Sequence, residues 1–216
     1  MPVLFDAVAN SVETSTASLT VTLNVASNAV LLAFCGTVNN TGSVSAVAFN
    51  GAALTRLGRA GNTTGSGPVI EIWGLTAPAA GSFGLSANFT TTSRWILTGI
   101  SYINARAANP FGTVASATAS AVTVGMNVSS STTWITVAQY GCTSQISASN
   151  ALTRMSVVGN IHNLLVETAG ALNTALSAIL QGAVSAEWAI AGLPVIFSAA
   201  AAGVPATLMC LMGVSS

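Results

Sequence analysis

The chain has 216 residues, half of them apolar, with five arginines, five carboxylates, no lysine and a net charge of zero. Soluble domains carry about a quarter of their residues charged. Here 5% are, so the surface has to consist of Ser, Thr, Asn, Gly and Ala, or be covered by copies of itself or by a partner. These figures exclude intrinsic disorder, which needs low hydropathy and high charge, and with no basic cluster they leave counterion release on a nucleic acid almost nothing to act on, so no nucleic-acid partner is expected.

The amino-terminal MPVLFDAVANS lacks the basic region and apolar run of a secretory signal. The chain is therefore expected in a cytoplasm, or numbered after processing, or carried out of the cell inside a particle. Strand signals follow in chain order at 19–25, 29–35, 44–49, 69–75, 83–89, 95–103, 121–128 and 133–140. Many alternate bulky apolar with small or polar residues, the period of a strand with one buried face. Clusters such as NNTGS, NTTGSG and APAAGS separate them and supply turn chemistry. The segment 167–181 reads equally as a strand pair or a short helical turn. After Glu187 no charge occurs; 188–216 is long enough to cross a bilayer. Pro194, Gly203, Pro205 and a run of alanines argue instead for two strands joined by a loop at 198–206, so no membrane partner is expected.

The chain repeats itself. AALTRLGRAGN at 52–62 is echoed by NALTRMSVVGN at 150–160, LNVASNAVLLAFCG at 23–36 by MNVSSSTTWITVAQYG at 126–141, and RWILTGI at 94–100 by EWAIAGL at 187–193. The order is kept while the offset drifts, as for two copies with different loops; chance similarity in a biased composition is the alternative. The expected fold is all-β: a single antiparallel β-sandwich over residues 1–216, a jelly-roll-like double Greek key with pseudo-repeats at about 19–104 and 121–197 closed over one core.

Few residues offer chemistry. Cys35, Cys142 and Cys210 are odd in number, have no metal-ligand spacing and read as buried reduced thiols; a bridge to Cys210 is the minority alternative. His162 is the lone histidine, read as a loop or strand-edge residue. A serine-nucleophile site would need it with Glu167 or Asp6, yet no Gly-X-Ser-X-Gly elbow is present. The Gly-rich GRAGNTTGSG lacks the lysine of a phosphate-binding loop. No catalytic, metal-binding or cofactor-binding residue is assigned, and no cofactor is expected. Arg56 precedes Glu71, and Arg154 precedes Glu167, by 15 and 13 residues across a Gly/Asn turn, so antiparallel hairpins would make Arg56–Glu71 and Arg154–Glu167 structural pairs related by the repeat. Trp95 and Trp188 occupy matching places and are expected in the core. Trp73 and Trp134 are the candidates for surface recognition.

VAFNGAALTRLG, then VIEIWGLTAPAAGSFGLSANF, then ILTGISYINARAANPFGTVASATAS resemble a β-sandwich domain found in phage virion proteins and in bacterial secreted or surface proteins. The resemblance rests on the ALT-Arg strand, the Glu-aliphatic-Trp strand with its Pro-Ala-Gly turn, and the Asn-Pro-Phe-Gly-Thr corner at 109–113. It is closest over about 44–120. It implies a jelly-roll-like sandwich and a non-catalytic structural or adhesive role. The expectation is a virion structural protein, a capsid decoration or cement subunit or a tail or fibre component. Its partners would be itself, as a homo-oligomer for which a trimer is one candidate, and other virion proteins such as the major capsid protein. The alternative is an extracellular or cell-surface adhesin or filament subunit that binds glycan or exchanges a terminal strand, MPVLFDAVA or ATLMCLMGV, with its neighbour.

Overall fold

In a computed structural model the described residues are 3–37, 42–61, 67–128, 135–148, 151–160, 162–169, 174–180 and 186–196. Trp134, Cys210, the 198–206 loop and the terminal ATLMCLMGV lie outside them. The protein is all-β and antiparallel, a sandwich architecture built twice. The first copy contains β1 (Leu4–Asn10), β2 (Thr14–Val25), β3 (Ala29–Thr37), β4 (Val44–Phe49), β5 (Ala52–Ala53), β6 (Thr55–Gly61), β7 (Val69–Leu75) and β8 (Gly81–Ile103). The second contains β9 (Ala115–Ala121), β10 (Thr123–Val128), β11 (Ile135–Cys142), β12 (Ile146–Ala148), β13 (Leu152–Val158), β14 (His162–Ala169), β15 (Thr174–Leu180) and β16 (Ala186–Val195).

In the first copy β8 serves two layers. Its beginning pairs with β2 and β4, and its end with β1 and β3, which continues to β7 and β6. Two separate strands were expected at 83–89 and 95–103, but TTTSR between them contains no Gly, Pro or Asn and runs on as β structure. In the second copy the same task is divided. β15 pairs with β10 and β12, while β16 pairs with β9 and β11, which continues to β14 and β13. The ambiguous segment 167–181 thus supplies the end of β14 and all of β15.

Three apolar clusters separate the four layers. Val21, Leu23, Phe49, Leu85 and Trp95 fill the first copy, and Val124, Met126, Tyr140 and Trp188 fill the second. Between the copies lies a shared core of Val30, Leu32, Phe34, Ile72 and Ile100 from the first, with Ile135, Val137, Leu165 and Leu193 from the second. Each copy thus has a core of its own besides the one it shares, where one common core was expected. β1 and β9 also belong to the repeats, which therefore begin earlier than 19 and 121.

Ladder register makes the duplication concrete. Thr37 of β3 stands opposite Trp95 of β8, and Cys142 of β11 opposite Trp188 of β16. From there the strands match residue by residue: Val30 with Ile135, Leu32 with Val137, Phe34 with Gln139. Both copies turn this same face into the shared core, the arrangement of an isologous pair.

The linker between the copies is clamped onto the end of β16. Arg106 N–H donates to Ile196 O at 2.8 Å, Ile196 N–H to Pro110 O at 2.7 Å and Gly112 N–H to Pro194 O at 2.9 Å. A Cβ on Gly112 would meet the Pro194 ring. This is the Asn-Pro-Phe-Gly-Thr corner, and Asn109 takes a left-handed φ of 51° there.

Candidate functional site

Six of the ionisable groups collect in three places, each set by strand register. On β7, Glu71 lies on the face that turns into the first copy's core, with no solvent exposure. Its Oε2 is 3.2 Å from Arg56 Nε, its Oε1 is 3.8 Å from Arg59 Nη1, and Val44 N–H donates to Oε1 at 3.2 Å. Arg59, directly opposite Glu71 in the ladder, was missed from sequence.

On β14, Glu167 points the other way, into the shared core. Arg154 Nη2 pairs with its Oε1, and the Tyr102 hydroxyl of the first copy donates to its Oε2 at 2.9 Å. Phe5 completes the group: its ring lies 4.0 Å below the Arg154 guanidinium and edge-on to Tyr102. The hydrogen bond and charge of Glu167 hold the Arg154 pKa above its ordinary value, and burial followed by the Glu167 charge pushes that of Tyr102 up. The tyrosine near the end of WILTGISYI was the available sign, since a buried tyrosine hydroxyl usually finds a hydrogen-bond partner.

Both arginine–glutamate pairs are thus in contact, but the repeat does not relate them. Arg56 stands opposite Trp73; its counterpart by register, opposite Val166, is Thr153. Arg154 occupies the bulge of β13, where β6 bulges at Leu57. The sequence echo is therefore one residue out of step with the structural one. A one-residue slip sends a side chain to the opposite face of a sheet, which puts one pair inside a copy and the other between copies. Neither carboxylate is exposed, so these are not the weak surface pairs that hairpin geometry alone suggests.

The third place surrounds His162, the first residue of β14, which is buried, with two partners, and is not a loop residue. Ile146 N–H donates to its Nδ1 at 2.8 Å, and Nε2 lies 2.6 Å from Ser156 Oγ. A backbone N–H on Nδ1 places the proton on Nε2, so that nitrogen donates to Ser156 and cannot accept its proton, the opposite of what an activated serine requires. Burial lowers the histidine's pKa. The acids that a triad would need are held elsewhere: Asp6 Oδ2 accepts from Ser101 Oγ at 2.7 Å and Ala26 N–H at 2.9 Å.

Trp73 is corrected as a recognition residue. It lies in the first copy's core with 9% exposure and offers no stacking face to solvent. Trp95 and Trp188 are fully buried in their respective cores. Cys35 and Cys142 are free and belong to different clusters, with burial pushing both thiols up, that of Cys142 to about 11. A cleft of about 270 Å³ beside the linker is lined by Thr55, Leu57, Thr76, Asn109 and Phe111, with no ionisable group. Among the described residues no three His, Cys, Asp or Glu converge as metal ligands would.

This geometry defines a duplicated antiparallel β protein whose polar interior groups hold strands and copies together. No family model matches the chain, and neither a curated protein nor a solved structure shows significant similarity to it.

Proposed function

We propose that the protein is a non-enzymatic structural subunit of a phage virion, a capsid decoration or cement protein or a tail or fibre component that works by assembly with itself and with other virion proteins. One observation carries the structural half of this reading: Asp6, Glu71, Glu167 and His162 are each engaged with partners inside the fold. The virion half rests on the motif resemblance at 44–120. Assembly through a broad greasy surface has no support, because the large exposed apolar side chains among the described residues are Leu4, Val12, Val122, Leu152 and Val158. The outer strand faces instead present Ser, Thr, Asn and Gly.

Mass spectrometry of purified particles tests the reading: the protein should be present at a fixed copy number relative to the major capsid protein. Particles that lack it would sink the virion assignment. The second reading, an extracellular filament or adhesin subunit, is favoured by the long uncharged edge strand β2. β1, the candidate amino-terminal exchange strand, pairs with β8 in its own sheet, as β2 does. Surface labelling of cells with antibody against the protein separates the two readings.

A further inference from the structure

The ten charges of the chain are distributed unevenly among the four layers. Strands of the two middle layers, with the loops and corners, hold all of them. The outer layer of the first copy, formed by β2, the beginning of β8 (81–89), β4 and β5, has none; nor does that of the second copy, formed by β10, β15 and β12. Burial alternates along 18–25 of β2 and along β10, apolar inward and Thr, Asn, Ser or Gly outward.

Among the described residues each outer layer also has one open edge. On one side it ends in a strand of two or three residues, β5 or β12, and short strands are poor templates for pairing. On the other side it ends in β2 or β10, whose ladder partners are β8 and β15 respectively. These two strands occupy equivalent places in the copies. The usual protections are absent from 18–25 and from β10: neither stretch has a lysine, a proline, an inward charge or a bulge. The middle-layer edges β1, β6 and β13 do carry charges and bulges, at Asp6, at Arg56 to Arg59 and at Arg154. β9, also uncharged, leads into β10. Of the five exposed large apolar residues, Val122 immediately precedes β10 and Val12 lies two residues before β2, with Glu13 between, at exposures of 46% and 73%.

We propose that β2 and β10 are assembly edges, each adding the corresponding open edge of a second copy of this chain by antiparallel main-chain pairing. An edge of unpaired N–H and C=O groups accepts an extended strand. A second copy fits because identical uncharged strands lie across a twofold axis with no like charges opposed. Two such edges, one on each outer layer, make the subunit bivalent. This inference rests on the assembly reading above and names its contact surface.

Sedimentation of the full chain between ~1 and ~100 µM tests it. The wild type should grow in mass with concentration. Thr20→Lys with Thr22→Lys, or Thr123→Lys with Asn127→Lys, places exposed lysines on one edge and should weaken association at least about ten-fold. The fourfold variant should remain at monomer mass with the wild-type melting temperature, whereas Thr20→Val with Thr22→Val should assemble as the wild type does. If the lysine variants associate normally, or the valine variant does not, the edge assignment falls and the assembly reading stands. A wild type that stays monomeric throughout overturns both. Should the fourfold variant fail to fold, the two single-edge variants decide.

Discussion

Glu167 has two partners from different parts of the chain, and the side chains it engages lie 65 residues before it and 13 before it. Removing one member of such a group strands the others in a dry place, which costs more than the net worth of the contact. Tyr102→Phe should destabilise the protein by about 1.5–3 kcal/mol, the range for a hydrogen bond to a charge. A thermodynamic cycle with Glu167→Gln should show strong non-additivity; additive losses would mean that the hydroxyl and carboxylate do not interact. The pH dependence has a definite sign at both ends. His162 has a depressed pKa when folded, so its contribution is intact above 6.5 and declines as acid protonates the unfolded chain first. Cys142 is raised from 9.0 to about 11, so its contribution is intact below 9 and declines across that interval. Urea titrations at stepped pH should find a plateau between these limits, and His162→Asn should flatten the acid limb.

Gly99 and Gly192 show at the level of the strand what the copies share and where they differ. They occupy the same ladder position, opposite Ala33 and Ala138. A Cβ on Gly99 would meet Leu85 Cδ2 at 2.6 Å, a side-chain tip, whereas one on Gly192 would meet Val137 O at 2.8 Å and Ala138 Cβ at 2.5 Å. Side-chain tips move and backbone does not. Gly192→Ala should therefore cost about 1–3 kcal/mol and more than Gly99→Ala. Gly84→Ala, with only Thr20 Cγ2 at 3.3 Å, should change stability by less than about 0.5 kcal/mol. Equal effects at the three sites, read from melting curves, would refute this ranking. The same strands show what could be read in advance. AVLLAFC is apolar without alternation because β3 is buried on both faces, and the Trp95 and Trp188 echo lands on equivalent rungs. The ALTR echo misled by one position: both strands bulge at equivalent rungs, at Leu57 and at Arg154, while the echoed letters sit one residue apart on them, and register is set by pairing and not by the letters. Trp73 looked available because a tryptophan in a strand has two possible faces, and only the sheet's partners decide between them.

Across the whole molecule, layers differ in how often they are covered. β3 and β11 lie between two cores, while β2 and β10 have one core and one wet face. Amide exchange in dilute solution should be slowest in β3 and β11 and should approach the global opening limit there, with β2 exchanging through smaller local openings. Protection of β2 equal to that of β3 would contradict this ordering. The all-β class and the doubling were legible because period-2 patterning and long echoes survive loop variation. The allocation of polar residues to faces was not, since it follows from which copy meets which.

Gln139, Asn163, Glu167 and Arg154 all belong to the second copy, yet they sit against the first. In a dimer of identical chains every replacement arrives twice, once on each side of the axis, so a carboxylate near the axis confronts its own image. Covalent linkage lifts that constraint. Tyrosine can then answer glutamate across the joint, and each half is free to specialise without spoiling the fit of the other.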